Sequence, residues 1–223
     1  MRSRGIEMSI KVMLVDDHKM VSEVLSALLA RETDMEVVAI ADNGREAIRL
    51  ARETKPDIIV MDLTMPELNG LEACRRIMAE TPESRIIVLS MHMEREYVVE
   101  ALKAGAKGYI QKMSAFKTLV GSIRSVQEKN GFLDPIITGI VLKDYIEHLN
   151  KPGVPNEHSA LSSREREVLQ MIAEGKSTKD IAFTLKISAK TIETHRRQIM
   201  QKLKLTNVAE LTRYAIREGI TSL

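Results

Sequence analysis

The apolar residues of the chain follow two different rhythms. Over residues 8 to about 130, short apolar runs alternate with helical stripes such as the one from Val21 to Leu29, whose apolar positions recur every three or four residues. The runs are IKVMLV (10–15), EVVAI (36–40), DIIVM (57–61), RIIVL (85–89) and GYI (108–110). Strands that alternate with helices predict right-handed crossovers and a doubly wound α/β fold with a five-stranded parallel, flavodoxin-like sheet.

From Leu161 onward the pattern is helical only. Ser162 and Glu165 form a predicted capping box, Ser177 and Asp180 form a second, and Ser188 opens a third helix over about 188–203. Two short helices joined by a tight turn predict an all-α helix-turn-helix domain whose second helix would lie in the major groove of DNA.

Glycine and proline punctuate residues 131–160, where a helix is predicted over 141–149. We therefore predict three parts. Residues 9–130 form the α/β domain, residues 131–160 a linker with one helix, and residues 161–223 the helix-turn-helix domain.

Composition adds a charge asymmetry and a cellular setting. The net charge is +2, but the sequence from Asn150 onward has thirteen Lys/Arg and eight Asp/Glu, a local charge of +5 that favours a polyanionic partner. No apolar run is long enough to span a membrane, and no signal-like segment opens the chain. Cys74 is the single cysteine, which fits a reducing, cytoplasmic protein, and its apolar neighbours indicate a buried thiol rather than a reactive one.

Polar residues stand at the carboxyl ends of four predicted strands. Asp16 and Asp17 follow the first strand, Asp62 closes the third, Ser90 closes the fourth and Lys112 follows the fifth. Ligands of open α/β sheets bind at this edge, so these side chains are expected to converge. Taken singly, each has a plainer explanation, such as a helix cap or a surface lysine. Their joint placement favours a site.

Three neighbouring carboxylates repel one another, by about 4 kcal/mol for a pair 4 Å apart at an effective dielectric of ~20. A shared proton or a hard cation such as Mg²⁺ relieves that repulsion. Lys112 and Ser90 favour the cation, because an ammonium and a hydroxyl suit the oxygens of a phosphoryl group. Asp62, with no Lys or Arg within six positions, is then the predicted nucleophile that forms an aspartyl phosphate.

Four blocks resemble the signature of bacterial response-regulator receiver domains over about residues 10–130. They are VDDH (15–18), MDLTMPELNGLE (61–72), VLSMH (88–92) and GYIQK (108–112). The resemblance implies Asp62 as phosphoacceptor, Asp17 as a direct Mg²⁺ ligand, Asp16 as a ligand through water, and the backbone carbonyl of Thr64 as a further ligand.

The same resemblance implies Ser90 and Tyr109 as a switch pair and Lys112 as the phosphoryl-binding ammonium. Met113 departs from the pattern, because many receivers have proline there. Thr64 and His92 occupy positions that tune dephosphorylation in such proteins.

The outward residues of the predicted third helix suit contact with DNA. Arginine binds guanine or phosphate, and threonine meets the methyl group of thymine. A solvated charged face is the alternative. The outward residues in or near its first half are Lys190, Thr191, Glu193, Thr194, Arg196 and Arg197.

Residues 161–218 resemble the DNA-binding domain of LuxR-type regulators in LSSREREVL, IAEGKSTKDIA, LKISAKTIETH and QKL. This implies Glu193, Thr194 and Arg197 as base readers and a final helix, about 207–218, used in dimerisation. Thr178 and Glu193 depart from common family residues, and His195 is interpreted as structural or phosphate-facing.

Together the two parts resemble a response regulator of the NarL/FixJ family. The resemblance implies a sensor histidine kinase as phosphodonor, double-stranded promoter DNA as target, a homodimer on DNA, and no separate substrate turnover. Two alternatives remain open. One is a metal-dependent phosphohydrolase like the haloacid dehalogenases, although Thr64 stands where those enzymes need a second acid. The other is a DNA-binding or docking protein that works without phosphorylation.

Overall fold

The computed structural model describes residues 9–149 and 161–221. The strands are β1 Ile10–Val15, β2 Met35–Ala41, β3 Ile58–Asp62, β4 Arg85–Ser90, β5 Gly108–Gln111 and β6 Phe132–Leu133. The helices are α1 Lys19–Leu29, α2 Gly44–Thr54, α3 Gly70–Glu80, α4 Arg95–Lys103, α5 Ala115–Gln127, α6 Pro135–Leu149, α7 Ser163–Ala173, α8 Thr178–Leu185, α9 Ala189–Leu203 and α10 Val208–Arg217.

The strands form one parallel sheet in the order β2-β1-β3-β4-β5-β6. The doubly wound parallel fold is therefore confirmed, and all five predicted strands are present. A sixth strand corrects the predicted strand number. It is two residues long and pairs with Gly108 and Tyr109. Two residues show no alternation of apolar and polar positions, which is why the sequence pattern did not reveal this strand.

Helices cover both faces of the sheet. Val12 and Leu14 of β1 point into one core with α1 and α5. Met13 and Val15, the alternate residues, point into the other core with α2, α3, α4 and α6. Strands buried on both faces explain why the runs in the sequence are continuously apolar.

Helix α6 begins six residues before the helix predicted for the linker. Its Ile137 is fully buried in the core of the α/β domain, and Ile140 and Val141 pack against that core. Residues 132–141 of the predicted linker thus pack on the α/β domain through β6 and the first half of α6. Residues 150–160 lie outside the described part, so the predicted domain boundaries stay predictions.

Helices α7 to α10 enclose a separate apolar core that includes Val168, Ile181, Ile199 and Leu211. Both predicted capping boxes are present. The Ser162 and Ser177 side chains accept from the backbone N–H three residues on, and the side chains of Glu165 and Asp180 accept in return from the backbone N–H of the two serines. Lys186, in the left-handed conformation, ends α8 two residues before Ser188 caps α9. The predicted helix-turn-helix is confirmed. Among the described residues no helix is long and apolar enough to cross a membrane.

Candidate phosphoryl-acceptor site and nucleic-acid interface

The predicted acidic edge is formed where β1 and β3 run side by side. Val15 pairs with Met61, so the residues that follow them, Asp16 and Asp62, become neighbours. Both are buried, at 4% and 3% exposure. Ligand atoms of Asp16, Asp17, His18 and Asp62 all lie within 4.8 Å of one another. Of these four, His18 is the one that the sequence did not single out.

Lys112 enters the same edge from the end of β5. Its Nζ lies 2.6 Å from Asp62 Oδ2 and 2.8 Å from Asp16 Oδ2. Burial raises the pKa of Asp62, and the neighbouring Asp16 adds to this rise, while Lys112 opposes it. Burial lowers the pKa of Lys112, but the two carboxylates outweigh burial and hold that pKa above its usual value. The single positive charge of Lys112 thus neutralises the negative charge of the two buried carboxylates only in part.

The edge has room for more positive charge. Asp16 Oδ2 has Lys112 Nζ at 2.8 Å and Asp17 Oδ1 has His18 Nδ1 at 2.8 Å, but neither buried oxygen makes a hydrogen bond of good geometry to a described residue. Buried carboxylate oxygens that are incompletely satisfied are costly and match the preference of hard cations for oxygen ligands. The acidic cluster of Asp16, Asp17 and Asp62 is therefore suited to hold a metal ion.

Ser90 and Tyr109, the predicted switch pair, meet at the turn after β4. Ser90 is fully buried, and its Oγ accepts a hydrogen bond from the N–H of His92 at 3.0 Å. The hydroxyl of Tyr109 donates to the carbonyl of His92 at 2.7 Å, and burial raises the pKa of that hydroxyl. The Tyr109 side chain points inward and is fully buried.

The loop after Asp62 returns closely to it. The Thr64 N–H donates to Asp62 Oδ1 at 3.2 Å. Gly70 opens α3 against the Asp62 backbone, and a Cβ at Gly70 would overlap the Asp62 carbonyl oxygen. The sequence did not reveal this contact, because the close approach depends on the fold.

Helix α9 presents its predicted DNA-contacting side to solvent. Lys190, Thr191, Thr194 and Arg197 are exposed. No hydrogen bond or ion pair joins the side chain of Lys190 or Arg197 to another residue of the described part. Thr191 shares a hydrogen bond with the Ser188 cap, at 2.8 Å between the two hydroxyl oxygens.

Glu193 is engaged within the helix-turn-helix domain. It accepts a hydrogen bond from the Thr178 hydroxyl at 2.9 Å, which ties α9 to α8, and it lies 2.9 Å from Arg196 Nη2. This geometry fits the role of orienting an arginine. His195 has a buried Nδ1 without a partner among the described residues. Thr178 and Glu193, the two residues that depart from the common family pattern, are therefore hydrogen-bonded to each other.

An interdomain contact, which the sequence did not predict, joins α7 to the α/β domain. Glu167 is fully buried, and three arginines surround its carboxylate. Arg76 Nη2 is 2.9 Å away and Arg164 Nη1 is 3.0 Å away, while Arg45 of α2 also donates to it. Burial raises the pKa of Glu167, but Arg76 and the other arginines together hold it below its usual value.

The same contact includes the loop that follows Asp62. Gln170 of α7 is buried; it accepts from the Asn69 N–H at 2.9 Å and donates to the Met65 carbonyl at 3.1 Å. The Asn69 side chain donates to the carbonyl of Ile220 at 2.7 Å, so the segment after α10 docks there too. We call this group the interdomain clamp. It is made by Arg45, Met65, Asn69, Arg76, Glu167, Gln170 and Ile220.

Cys74 is fully buried, and burial raises the pKa of its thiol to about 12. The thiol is protonated at neutral pH and inaccessible, as its apolar neighbours predicted.

Comparison with known proteins identifies both halves of the chain. Residues 12–124 match the family described as the response regulator receiver domain, and residues 159–215 match the bacterial regulatory proteins of the luxR family. The chain belongs to the response regulators with a LuxR-type DNA-binding domain, the NarL/FixJ family.

Individual relatives agree with this assignment. The oxygen regulatory protein NreC of Staphylococcus haemolyticus (strain JCSC1435) is 38% identical, over 94% of this chain and 98% of that protein. A LuxR-family two-component response regulator from Aurantimonas sp. SI85-9A1 is 38% identical, with a TM-score of 0.59 over 62% of this chain and 99% of that one. The response regulator RcsB, solved in complex with DNA, shares the fold at 24% identity, with a TM-score of 0.58 over 94% and 98% of the two chains.

The chain is thus a phosphorylation-dependent, DNA-binding transcription regulator. Its receiver domain implies a histidine kinase as partner.

Proposed function

We propose that Asp62 accepts the phosphoryl group from a phosphohistidine of a sensor kinase. The buried carboxylate of Asp62, 2.6 Å from Lys112 at the acidic edge, is the observation that supports this role. A carboxylate oxygen of Asp62 bonds to phosphorus while the P–N bond to the donor imidazole breaks, and that imidazole takes up a proton as it leaves. Lys112 neutralises the oxygens of the transferred group, and Ser90 donates its hydroxyl to one of them.

Mg²⁺ would fit this edge: Asp17 and Asp62 would hold it directly, Asp16 would hold it through water, and the carbonyl of Thr64 would complete the protein ligands. When bound, Mg²⁺ neutralises phosphoryl charge and orients the transfer. The chain itself supplies rigid positions. Asp16 and Asp62 are fixed by paired strands, and the Thr64 N–H holds one oxygen of Asp62 while the other faces Lys112.

The signal then reaches the DNA-binding domain through the interdomain clamp. Thr64 and Met65 belong to the short loop after Asp62, and Gln170 of α7 binds that loop directly. A phosphoryl group that draws Thr64 and Lys112 toward itself shifts the loop and weakens the hydrogen bonds to Gln170. The DNA-contacting side of α9 is exposed while the clamp is closed, so release of the clamp frees the placement of α9 rather than uncovering it.

On DNA we propose a homodimer bound to two half-sites about one helical turn apart. Arg197 and Thr194 read bases, Lys190, Thr191 and Arg196 contact the DNA, and Glu193 orients Arg196. RcsB, which shares the fold, has been solved both with DNA and as dimers bound to DNA. Because the lysine and arginine side chains of α9 contact DNA phosphates, the affinity for DNA should fall steeply as the salt concentration rises.

The deciding experiment replaces Asp62 by Asn and measures phosphoryl uptake from a radiolabelled phosphohistidine donor or acetyl phosphate. The variant is expected to remain folded and to take up no label, because an amide is not a nucleophile toward phosphorus. Asp42→Asn, an exposed acid just after β2, is the matched control and is expected to label fully. Undiminished labelling of Asp62→Asn contradicts the proposal.

We propose no substrate turnover beyond slow loss of the phosphoryl group. A phosphohydrolase of the haloacid-dehalogenase type needs an acid two residues after its nucleophile, and Thr64 stands there. Release of product from a generic phosphomonoester would reinstate that alternative. DNA footprints that are equal with and without a phosphate mimic would instead favour a regulator that ignores phosphorylation.

A further inference from the structure

Helix α6 is apolar on two opposite sides. Ile137, Ile140 and Val141 point inward to the receiver core. Ile136, Leu142, Tyr145 and Ile146 point outward, with exposed fractions of 60%, 56%, 62% and 55%. A surface helix normally places polar and charged residues on its outer side. An outer side of this composition is therefore typical of a contact surface.

The outer residues follow the spacing of a helix–helix seam. Pro135, Gly139, Leu142 and Ile146 are all exposed, and they are spaced by four, three and four residues. This is the heptad rhythm by which two helices pack side by side. A Cβ at Gly139 would meet nothing within 4 Å, so there is room at the middle of the seam for a side chain from a partner. Among the described side chains of α6, Lys143 is the one with a charge.

The area of this surface fits a weak contact. Leu142 and Ile146 lie in the seam, and Ile136 and Tyr145 flank it on its two sides. Each of these four side chains exposes on the order of 100 Å², which gives roughly 400 Å² of surface, a patch of the size that is often functional. Two such faces packed together remove at most roughly 800 Å² from water, somewhat less than the roughly 1,000 Å² of a stable specific contact. The area therefore predicts a weak dimer that forms as concentration rises.

We infer that the outer face of α6 binds the same face of a second copy of the chain. A heptad seam is complementary to itself across a two-fold axis, and a seam without charge brings no repulsion between identical faces. The opposite side of α6 is anchored to the receiver core, so the helix is formed before it pairs and little conformational entropy is lost.

The choice of a second copy rests on the proposed function, since two half-sites on DNA require two copies of α9. The α6 seam shares no residue with the interdomain clamp or with the outer side of α9. Pairing through α6 thus uses residues outside the clamp, and it is separate from the dimer contact implied for α10.

Sedimentation equilibrium of the full chain without DNA tests this inference. The wild-type mass is expected to rise from one chain to two with concentration. Leu142→Glu combined with Ile146→Glu is expected to stay monomeric, because four carboxylates would meet in the seam. These positions are exposed, so circular dichroism and thermal unfolding should be unchanged. Val24→Glu, an exposed apolar position on α1, is the control and should dimerise as the wild type does.

Cross-linking locates the contact. Cys74 is fully buried, so a cysteine introduced at Leu142 is the accessible thiol of the described part of the chain. Leu142→Cys is expected to form a disulfide-linked dimer under mild oxidation, whereas Ala27→Cys, exposed on α1 over the other sheet face, is not.

A wild type that stays monomeric, with equal cross-linking at residues 142 and 27, overturns the inference. Uptake of label at Asp62 is measured on the same variants and should be unaffected. Loss of that label would instead contradict the proposed function, so the two failures are distinguishable.

Discussion

At the scale of single residues, the phosphoryl-acceptor site depends on a residue that does no chemistry. Gly70 lies directly against the carbonyl of Asp62, and its N–H donates to the carbonyl of Leu63 at 2.9 Å. The backbone of α3 therefore begins in contact with Asp62, the proposed nucleophile. The position of the Asp62 carboxylate is set by this contact as much as by the strand that precedes it.

We expect Gly70→Ala to displace the Asp62 backbone, because the added methyl would overlap its carbonyl oxygen. The expected result is a loss of several kcal/mol in the free energy of unfolding, since small-to-large changes at packed sites cost about 1–3 kcal/mol or more. Phosphoryl uptake should fall with it.

Gly121→Ala is the control for that change. Gly121 lies inside α5, and a methyl group added there would have nothing within 4 Å, so alanine should stabilise the chain by about 1 kcal/mol. Urea unfolding measures both variants. Equal effects of the two substitutions would contradict the packing argument.

Arg197 and Lys202, both on α9, are expected to differ in what their loss removes. Arg197 is exposed on the DNA-contacting side, whereas Lys202 Nζ lies 2.7 Å from Glu165 of α7. Arg197→Ala should relax base preference and cost about 1–3 kcal/mol on the preferred site. Lys202→Ala should weaken binding about equally on all sequences. Binding to a library of operator sequences distinguishes them, and equal losses across all sequences for both variants would contradict the assignment.

Sequence reasoning found the strand-end residues because parallel strands place their carboxyl ends at one edge whatever the loops do. Asp16, Asp62 and Lys112 meet there as predicted. It did not find Glu167 or Gln170, which sit in an ordinary amphipathic helix. The position of Glu167 beside the apolar Val168 and Leu169 could have indicated that this acid is buried. Its arginine partners could not be predicted, because they are brought to it by the tertiary structure.

At the scale of elements, the interdomain clamp joins α7 to α2, to α3 and to the loop between β3 and α3. Its centre is one buried carboxylate facing Arg45, Arg76 and Arg164. Breaking a buried ion pair by removing one partner costs about 3–5 kcal/mol, because the remaining charges are left unpaired. The docking of the two domains therefore depends strongly on Glu167.

Glu167→Gln is expected to open the clamp and to increase the radius of gyration measured by small-angle scattering. Glu53→Gln removes an exposed pair with Arg49 within α2 and should leave the radius unchanged. A Glu167→Gln chain with the same radius of gyration as the wild type would show that the clamp does not depend on this carboxylate.

The pH dependence of the clamp has a definite sign. The pKa of Glu167 is held below its usual 4.5, so its contribution to docking is fully present above that pH. The contribution is lost as the pH falls below 4.5 and Glu167 takes up a proton. The difference in radius between the wild type and Glu167→Gln should therefore shrink in acid. A difference that stays constant to low pH would contradict this sign.

At the scale of the whole molecule, one short loop connects the two domains. The segment from Leu63 to Asn69 starts next to Asp62, the proposed phosphoacceptor, and ends in hydrogen bonds to Gln170 and Ile220. The fold of each half was predictable from periodicity and caps. Their relative arrangement was not, because it rests on polar contacts scattered over the sequence with no periodic signal.

Beryllofluoride with Mg²⁺, which mimics a phosphoryl group, is expected to weaken the clamp and to raise exchange of the Asn69 N–H with solvent deuterium. The Asp62→Asn chain should not respond, and chelation of Mg²⁺ should reverse the change. An unaltered Asn69 under full occupancy would place the route between the domains elsewhere.

The docking of Ile220 has a practical consequence for handling the protein. The carbonyl of Ile220 is bound by Asn69, and Gly219 packs against the ring of Tyr97, where a Cβ would come within 2.6 Å. A fluorescent reporter inserted directly after Ile220 would crowd this contact. Such a fusion should therefore behave like a chain whose interdomain clamp has been loosened.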